Sequence, residues 1–236
     1  MATRLYLATF RLFPNPEIAP DAAWDDLTIS EPLMLALHGD ISIVAQEHGG
    51  TDPKGFTNTG VTVAGPANAL VRALRSPPLD VDQTIAGTVT GQIRASQSHV
   101  NANAMVQMGI RVVAPDGSIR GTLLALHTEA LSSEVTVGAT QTNRTLPLAA
   151  LSPATLTSVD ALAGDRIIIE LGLRKTEAGT TSRNYNMSFG TTNITDLPVN
   201  ETDTAGFSPW IQFSQDLTFG NPGPRLSSLM MAGMGA

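Results

Sequence analysis

The sequence predicts an all-β fold, an antiparallel β-sandwich that is jelly-roll-like, with extended N- and C-terminal arms. Three observations predict it. Apolar and polar residues alternate with a period of two along many short stretches. Gly, Pro, Asp and Asn punctuate those stretches with turn chemistry. No segment of useful length carries a helical period, which argues against strand–helix–strand units. About ten short strands in two packed sheets are expected.

Residues 1–31 read as an N-terminal arm, with a short strand in "TRLYLA" followed by the Pro-rich "FPNPEIAPDAAW". Trp24 ends that coil, and a tryptophan so placed anchors a terminal segment on the body of a fold. Residues 32–220 are expected to form a single sandwich. "PLMLALHGDISIVAQ" (32–46) fits one long strand or two short ones, and "QEHGGTDPKGFTNTG" (46–60) is a loop by its Gly and Pro content. "NALVRALRS" (68–76) fits either a helix face or a strand. The following "SPP" would leave a nine-residue helix too short to stand, so a strand is expected.

In "GTVTGQIRAS" (87–96), Val89, Ile93 and Ala95 share one face, with Thr88, Thr90, Gln92, Arg94 and Ser96 on the other. "AMVQMGIRVV", the turn "APDGS" and "IRGTLLAL" make a hairpin. "SEVTVGA" (133–139) and "NRTLPLAAL" (143–151) are further strands, and "SPATLTSVDALAGD" (152–165) is a connection. "RIIIELGLR" (166–174) turns Ile167, Ile169, Leu171 and Leu173 inward and Arg166, Glu170 and Arg174 outward. After the loop "KTEAGTTS", "YNMSF" (185–189) and "PWIQFSQDLTF" (209–219) supply the last inward faces, the latter through Ile211, Phe213, Leu217 and Phe219. Residues 221–236 form an apolar C-terminal tail.

Composition excludes several functions. The chain of 236 residues has no Cys, so disulfide frameworks, cysteine zinc sites and thiol nucleophiles are ruled out together. Fourteen Lys and Arg stand against 21 Asp and Glu, a net charge of −7, with the basic residues scattered rather than in a stripe, so no nucleic-acid partner is expected. No apolar run approaches the ~18 residues of a membrane helix. "MATRLYLATF" lacks the basic and long apolar parts of a signal peptide, and none is expected. Sequons at Asn143, Asn186, Asn193 and Asn200 read as chance in a Thr- and Asn-rich chain.

The search for chemistry gives little. His38, His48, His99 and His127 show no metal-ligand spacing, and nucleotide-binding and nucleophile-elbow motifs are missing. No enzyme activity, catalytic residue or cofactor is expected. The stretch most like a site is "DLPVNETDTAGFSPWIQF", whose Asp196, Glu201 and Asp203 could offer loop oxygens to a calcium ion. The plainer reading is a solvated connection over 196–208, capped by its own Asp, Asn and Thr side chains. Candidate partner contacts are Trp24, Trp210 and the tail residues Leu226, Leu229, Met230 and Met231, because Met-rich apolar surfaces adapt to partners.

"TRLYL", the Trp24–Asp25 pair, "SPPL", "QTIAGTVTGQIRASQSHVNANA", "IRVVAPDGSIRGTLLA", "AGDRIIIELGLR" and "TDLPVNETDTAGFSPWIQFS" occur in that order and resemble a family of tailed-bacteriophage virion structural proteins. The resemblance spans most of residues 1–220 and consists of strand and turn segments, with no catalytic signature. It implies a virion component that binds neighbouring virion subunits such as a major capsid or tail protein, assembles in the host cytoplasm and forms a homo-oligomer. A capsid decoration or head-fibre protein is the first expectation. A tail or baseplate component is the second. A carbohydrate-binding module, drawing on Trp24, Phe56, Phe207 and Trp210, is the rival from another class.

Overall fold

In a computed structural model the chain is described over residues 2–7, 20–25, 35–36, 38–39, 67–126, 134–138, 140–147, 149–175, 185–188 and 195–220. The strands are, in chain order, β1 (Thr3–Tyr6), β2 (Leu35–Ala36), β3 (His38–Gly39), β4 (Ala67–Arg75), β5 (Gln83–Ile85), β6 (Thr88–Gln97), β7 (Ala104–Val113), β8 (Ile119–Leu124), β9 (Thr142–Leu146), β10 (Ala154–Thr155), β11 (Val159–Ala161), β12 (Arg166–Lys175), β13 (Tyr185–Ser188) and β14 (Trp210–Phe213). Two 3₁₀ turns, Val100–Ala102 and Ala149–Leu151, are the helical elements among the described residues.

The first sheet is organised around β6. One side of β6 pairs with β14 and then β13, end to end, and its other side pairs with β10 and then β9. Beyond β14 come β1 and β3, so the first strand of the chain is inserted inside the sheet rather than trailing from it. The second sheet has the order β2-β4-β12-β7-β8, antiparallel except for the parallel β2–β4 pair. A small β5–β11 ribbon adds two more strands.

The sandwich forms because the period-two pattern gives each long strand an apolar face. Val89, Ile93, Ile211 and Phe213 of the first sheet meet Val106, Ile110, Ile169 and Leu171 of the second in one buried cluster. Each such side chain contributes about 1.5–3 kcal/mol through removal of its surface from water. Residues 67–75 are a strand, as the "SPP" stop implies, and they pair along β12 with a bulge at Leu171/Gly172.

The sequence reading needs correction at several places. "SEVTVGA" gives one isolated bridge, Val137 to Gln97, with residue 139 and residues before 134 outside the described set. "NRTLPLAAL" is a strand only to Leu146, then turns. The connection 152–165 contributes both β10 and β11. Strand β7 is buried on both faces, Gln107 and Arg111 included. Glu170 does leave the core face as expected but is 1% exposed, because residues 21–25 lie over it. The loop at 46–60, Phe56, Phe189 and the tail with Leu226, Leu229, Met230 and Met231 lie outside the described residues.

Candidate functional site

The acidic connection 195–208 folds into a loop with its ends drawn together. The Ser208 amide donates to the Thr195 carbonyl at 2.7 Å, and the Leu197 amide to the Ser208 carbonyl at 2.9 Å. From that neck the loop crosses the outer face of the first sheet strand by strand. Asp196 pairs with Arg4 of β1 and accepts from the Tyr6 hydroxyl at 3.3 Å. The Leu197 carbonyl accepts from the Trp210 indole Nε1 on β14 at 2.8 Å. The Gln92 amide of β6 turns its nitrogen toward the Pro198 and Asn200 carbonyls and its oxygen toward the Thr145 hydroxyl. Arg94 of β6 donates to the Thr204 carbonyl at 3.2 Å.

At its far end the loop meets β9. The Thr145 amide donates to Glu201 Oε1 at 2.7 Å, and the Asn143 amide to the Asp203 carbonyl at 2.8 Å. These are alternate residues of a strand with β6 on its other side. Their amides would otherwise form an open sheet edge, the kind of edge that recruits other strands. Arg144 reinforces the cover, donating to the Glu201 carbonyl at 2.6 Å and to its carboxylate at 3.3 Å, and reaching the Thr136 hydroxyl. The Asn143 side chain is fully buried and bonded to the Pro198 carbonyl at 3.0 Å, so that sequon is closed to a glycan.

The three carboxylates singled out by the sequence are therefore near one another in the chain but are spent separately. Asp196 holds β1, Glu201 holds β9, and Asp203 caps the loop by accepting from the Ala205 amide at 2.7 Å. Asn200 caps the adjoining turn, accepting from the amides of Thr202 and Asp203. Among the described residues no group of three or more His, Asp or Glu side chains converges as a metal site would require. Burial foremost, and then the charge of Asp196, push the Tyr6 hydroxyl above its ordinary pKa.

Both tryptophans lie inside the chain. Trp210 is 3% exposed, roofed by the loop and by the Arg4 guanidinium 4.1 Å from its ring centroid. Trp24 is 5% exposed and seated on the outer face of the second sheet, where its Nε1 donates to Glu170 Oε2 at 2.9 Å. Sequence reasoning passed over Glu170, which also pairs with Arg111 and accepts from the Asp21 amide at 3.1 Å. Its signal was present: a single acid in the middle of "IIIELGL" has to find donors if that strand is covered. Burial dominates and raises the Glu170 pKa above the ordinary carboxylate value, although Arg111 and the indole N–H oppose it.

Against known proteins, no family model matches the chain, and no curated protein sequence does either. Among solved structures it is similar to one described as "Structure of infectious bursal disease virus Gx strain", with 11% sequence identity and a TM-score of 0.33. The match covers 77% of this chain and 45% of that one, so the chain spans less than half the length of the structure it matches. Among the described residues no helix is long and apolar enough to cross a membrane.

Proposed function

We propose that this chain is a structural component of a tailed-phage virion, a capsid decoration or head-fibre protein that acts by binding neighbouring virion subunits and carries out no chemistry of its own. One observation carries the reading. The stretch most like an active or ion-binding site is used to build the molecule: Asp196, Glu201 and Asp203 are committed to the chain's own Arg4, Arg144 and backbone amides. A covered sheet edge suits a subunit that must sit beside many copies without uncontrolled strand pairing. The order of segments from "TRLYL" to "TDLPVNETDTAGFSPWIQFS" supports the phage assignment, and the low charge of the chain suits close packing against neighbours.

The carbohydrate-binding alternative draws on exposed aromatic platforms, and both indoles that it would use are buried. A tail or baseplate location stays the second reading within the same class. Cross-linking mass spectrometry on purified phage particles separates them. Links from this chain to shell subunits are expected. Links to tail subunits would move it to the tail, and recovery of the chain only outside particles would overturn the virion assignment. Specific binding on a glycan array would favour the attachment module instead.

A further inference from the structure

We infer that residues 21–25 form a detachable strap, latched to the second sheet by Glu170, that opens without unfolding the sandwich beneath it. Three features of the contact lead there. First, the latch is concentrated: the Asp21 amide and the Trp24 indole both donate to the single carboxylate of Glu170, with which Arg111 of β7 also pairs. Among the described residues its remaining hydrogen bonds to the body run to Asn68 at the start of β4, through the Asp25 amide to the Asn68 carbonyl at 2.9 Å, the Asn68 amide to Asp25 Oδ2 at 2.8 Å, and the Asn68 side chain to the Ala23 carbonyl at 3.0 Å.

Second, the seat is ready-made. Gly172 lies two residues after Glu170 on the same face, and its missing side chain leaves room for the indole: a Cβ there would stand 2.5 Å from Trp24 Cζ3. Third, the platform stands without the strap. Strand β12 is paired from Arg166 to Lys175 with β7 on one side and from Ile168 to Lys175, across one bulge, with β4 on the other. Its inner residues Ile167, Ile169, Leu171 and Leu173 belong to the main core. Lifting residues 21–25 exposes the buried Trp24 ring, but it breaks no ladder of the sheet, removes no side chain of the cluster between the sheets, and leaves Glu170 still paired with Arg111. Segments joined to the body by few contacts open locally at lower free energy than the core.

Native-state hydrogen exchange on the full chain tests this. In the wild type the Asp21 and Asp25 amides are expected to exchange at least tenfold faster than the ladder amides of Ile169 and Leu171, with little dependence on denaturant. Glu170→Gln places an amide N–H against the strap donors and should speed exchange at residues 21–25 a further tenfold, leaving β12 unchanged. Because Glu170→Gln also uncouples buried Arg111 and could weaken the whole fold, Trp24→Ala serves as the second variant, removing the indole and keeping the Glu170–Arg111 pair. If strap and β12 amides exchange with one common rate and one denaturant slope, or if both variants accelerate them equally, the strap is part of the cooperative core and the inference is wrong. Unchanged strap exchange in both variants would equally refute the latch.

Discussion

Arg4 and Trp210 face each other from neighbouring strands, the guanidinium 4.1 Å from the indole centroid, and this stacking joins β1 and β14, the first and last strands among the described residues, beneath the acidic loop. Arg4 also bonds Gln212 on β14 through its Nε at 2.9 Å, and it pairs with Asp196. One side chain near the N-terminus thus ties together β1, β14 and the loop neck.

Arg4→Ala should therefore cost more than a surface ion pair. The Arg4 and Asp196 side chains are about a third exposed, so the pair alone is worth roughly 0–1 kcal/mol. Cation–π stacking on a partly desolvated indole adds about 0.5–2 kcal/mol. A loss of about 1–2 kcal/mol in denaturant unfolding is expected, with red-shifted tryptophan emission as the Trp210 roof is removed. Arg4→Lys should recover only part, since an ammonium keeps the charge but neither the planar stack nor the forked contact with Gln212. A stability change under 0.3 kcal/mol for Arg4→Ala would show that the stack contributes nothing.

Glu201 is the residue to change in order to open the edge of β9. Glu201→Ala leaves the Thr145 amide without its acceptor and takes the carboxylate, though not the residue-201 carbonyl, from Arg144, at a cost of about 1–3 kcal/mol. The uncovered edge should also promote self-association. The check is a denaturation midpoint together with light scattering across a concentration series. Glu201→Gln keeps an oxygen for the Thr145 amide and should stay monodisperse under conditions in which Glu201→Ala aggregates.

The sandwich was legible in the sequence wherever one face of a strand is apolar and the other polar. β6, β12 and β14 show this: Val89, Ile93, Ile169, Leu171, Ile211 and Phe213 all reach the core from period-two positions. Burial by other segments was not legible. Alternation reports which face of a strand is apolar, but it cannot say whether a loop or strap will later cover the polar face. Glu170, Arg111, Gln92 and Trp210 all lie on outer faces and are all buried. The acidic stretch drew attention for its composition. Its actual partners, Arg4 and Arg144, are 192 and 57 positions away in the chain and meet it only through the pairing of β1 with β14 and of β6 with β9.

Asp165 supplies the prediction with a pH sign. Its carboxylate is fully buried and accepts from Arg120 Nε at 2.7 Å and Nη2 at 3.0 Å, and from the Leu162 amide at 2.8 Å. Burial alone would raise its pKa, but the Arg120 and Leu162 bonds together outweigh it and hold the pKa below the ordinary value. A carboxylate depressed in the folded state stabilises the fold at any pH above its unfolded pKa, about 3.9, and loses that contribution as pH falls through its folded pKa. The melting-temperature gap between wild type and Asp165→Asn should thus be constant from pH 5 to pH 7 and narrow below about pH 4. A gap that widens on acidification would contradict the assignment.

Gly172→Ala tests how closely Trp24 and the second sheet are fitted. An added Cβ would stand 2.5 Å and 2.7 Å from two carbons of the Trp24 ring, and it would also strike the Ala69 carbonyl across the bulge that sets the β4–β12 register. The ring could lift, at the cost of the strap, but the carbonyl belongs to the ladder and has little room to move. Overpacking of a buried site costs about 1–3 kcal/mol, and the backbone collision should bring Gly172→Ala to the upper end of that range. Because two neighbours obstruct the same atom, Trp24→Ala should rescue Gly172→Ala only in part. A double-mutant cycle read by denaturant unfolding should give a coupling of about 0.5–3 kcal/mol between the two sites. A coupling near zero would mean that the indole does not occupy the space above Gly172, and full rescue would mean that the Ala69 carbonyl is no obstacle.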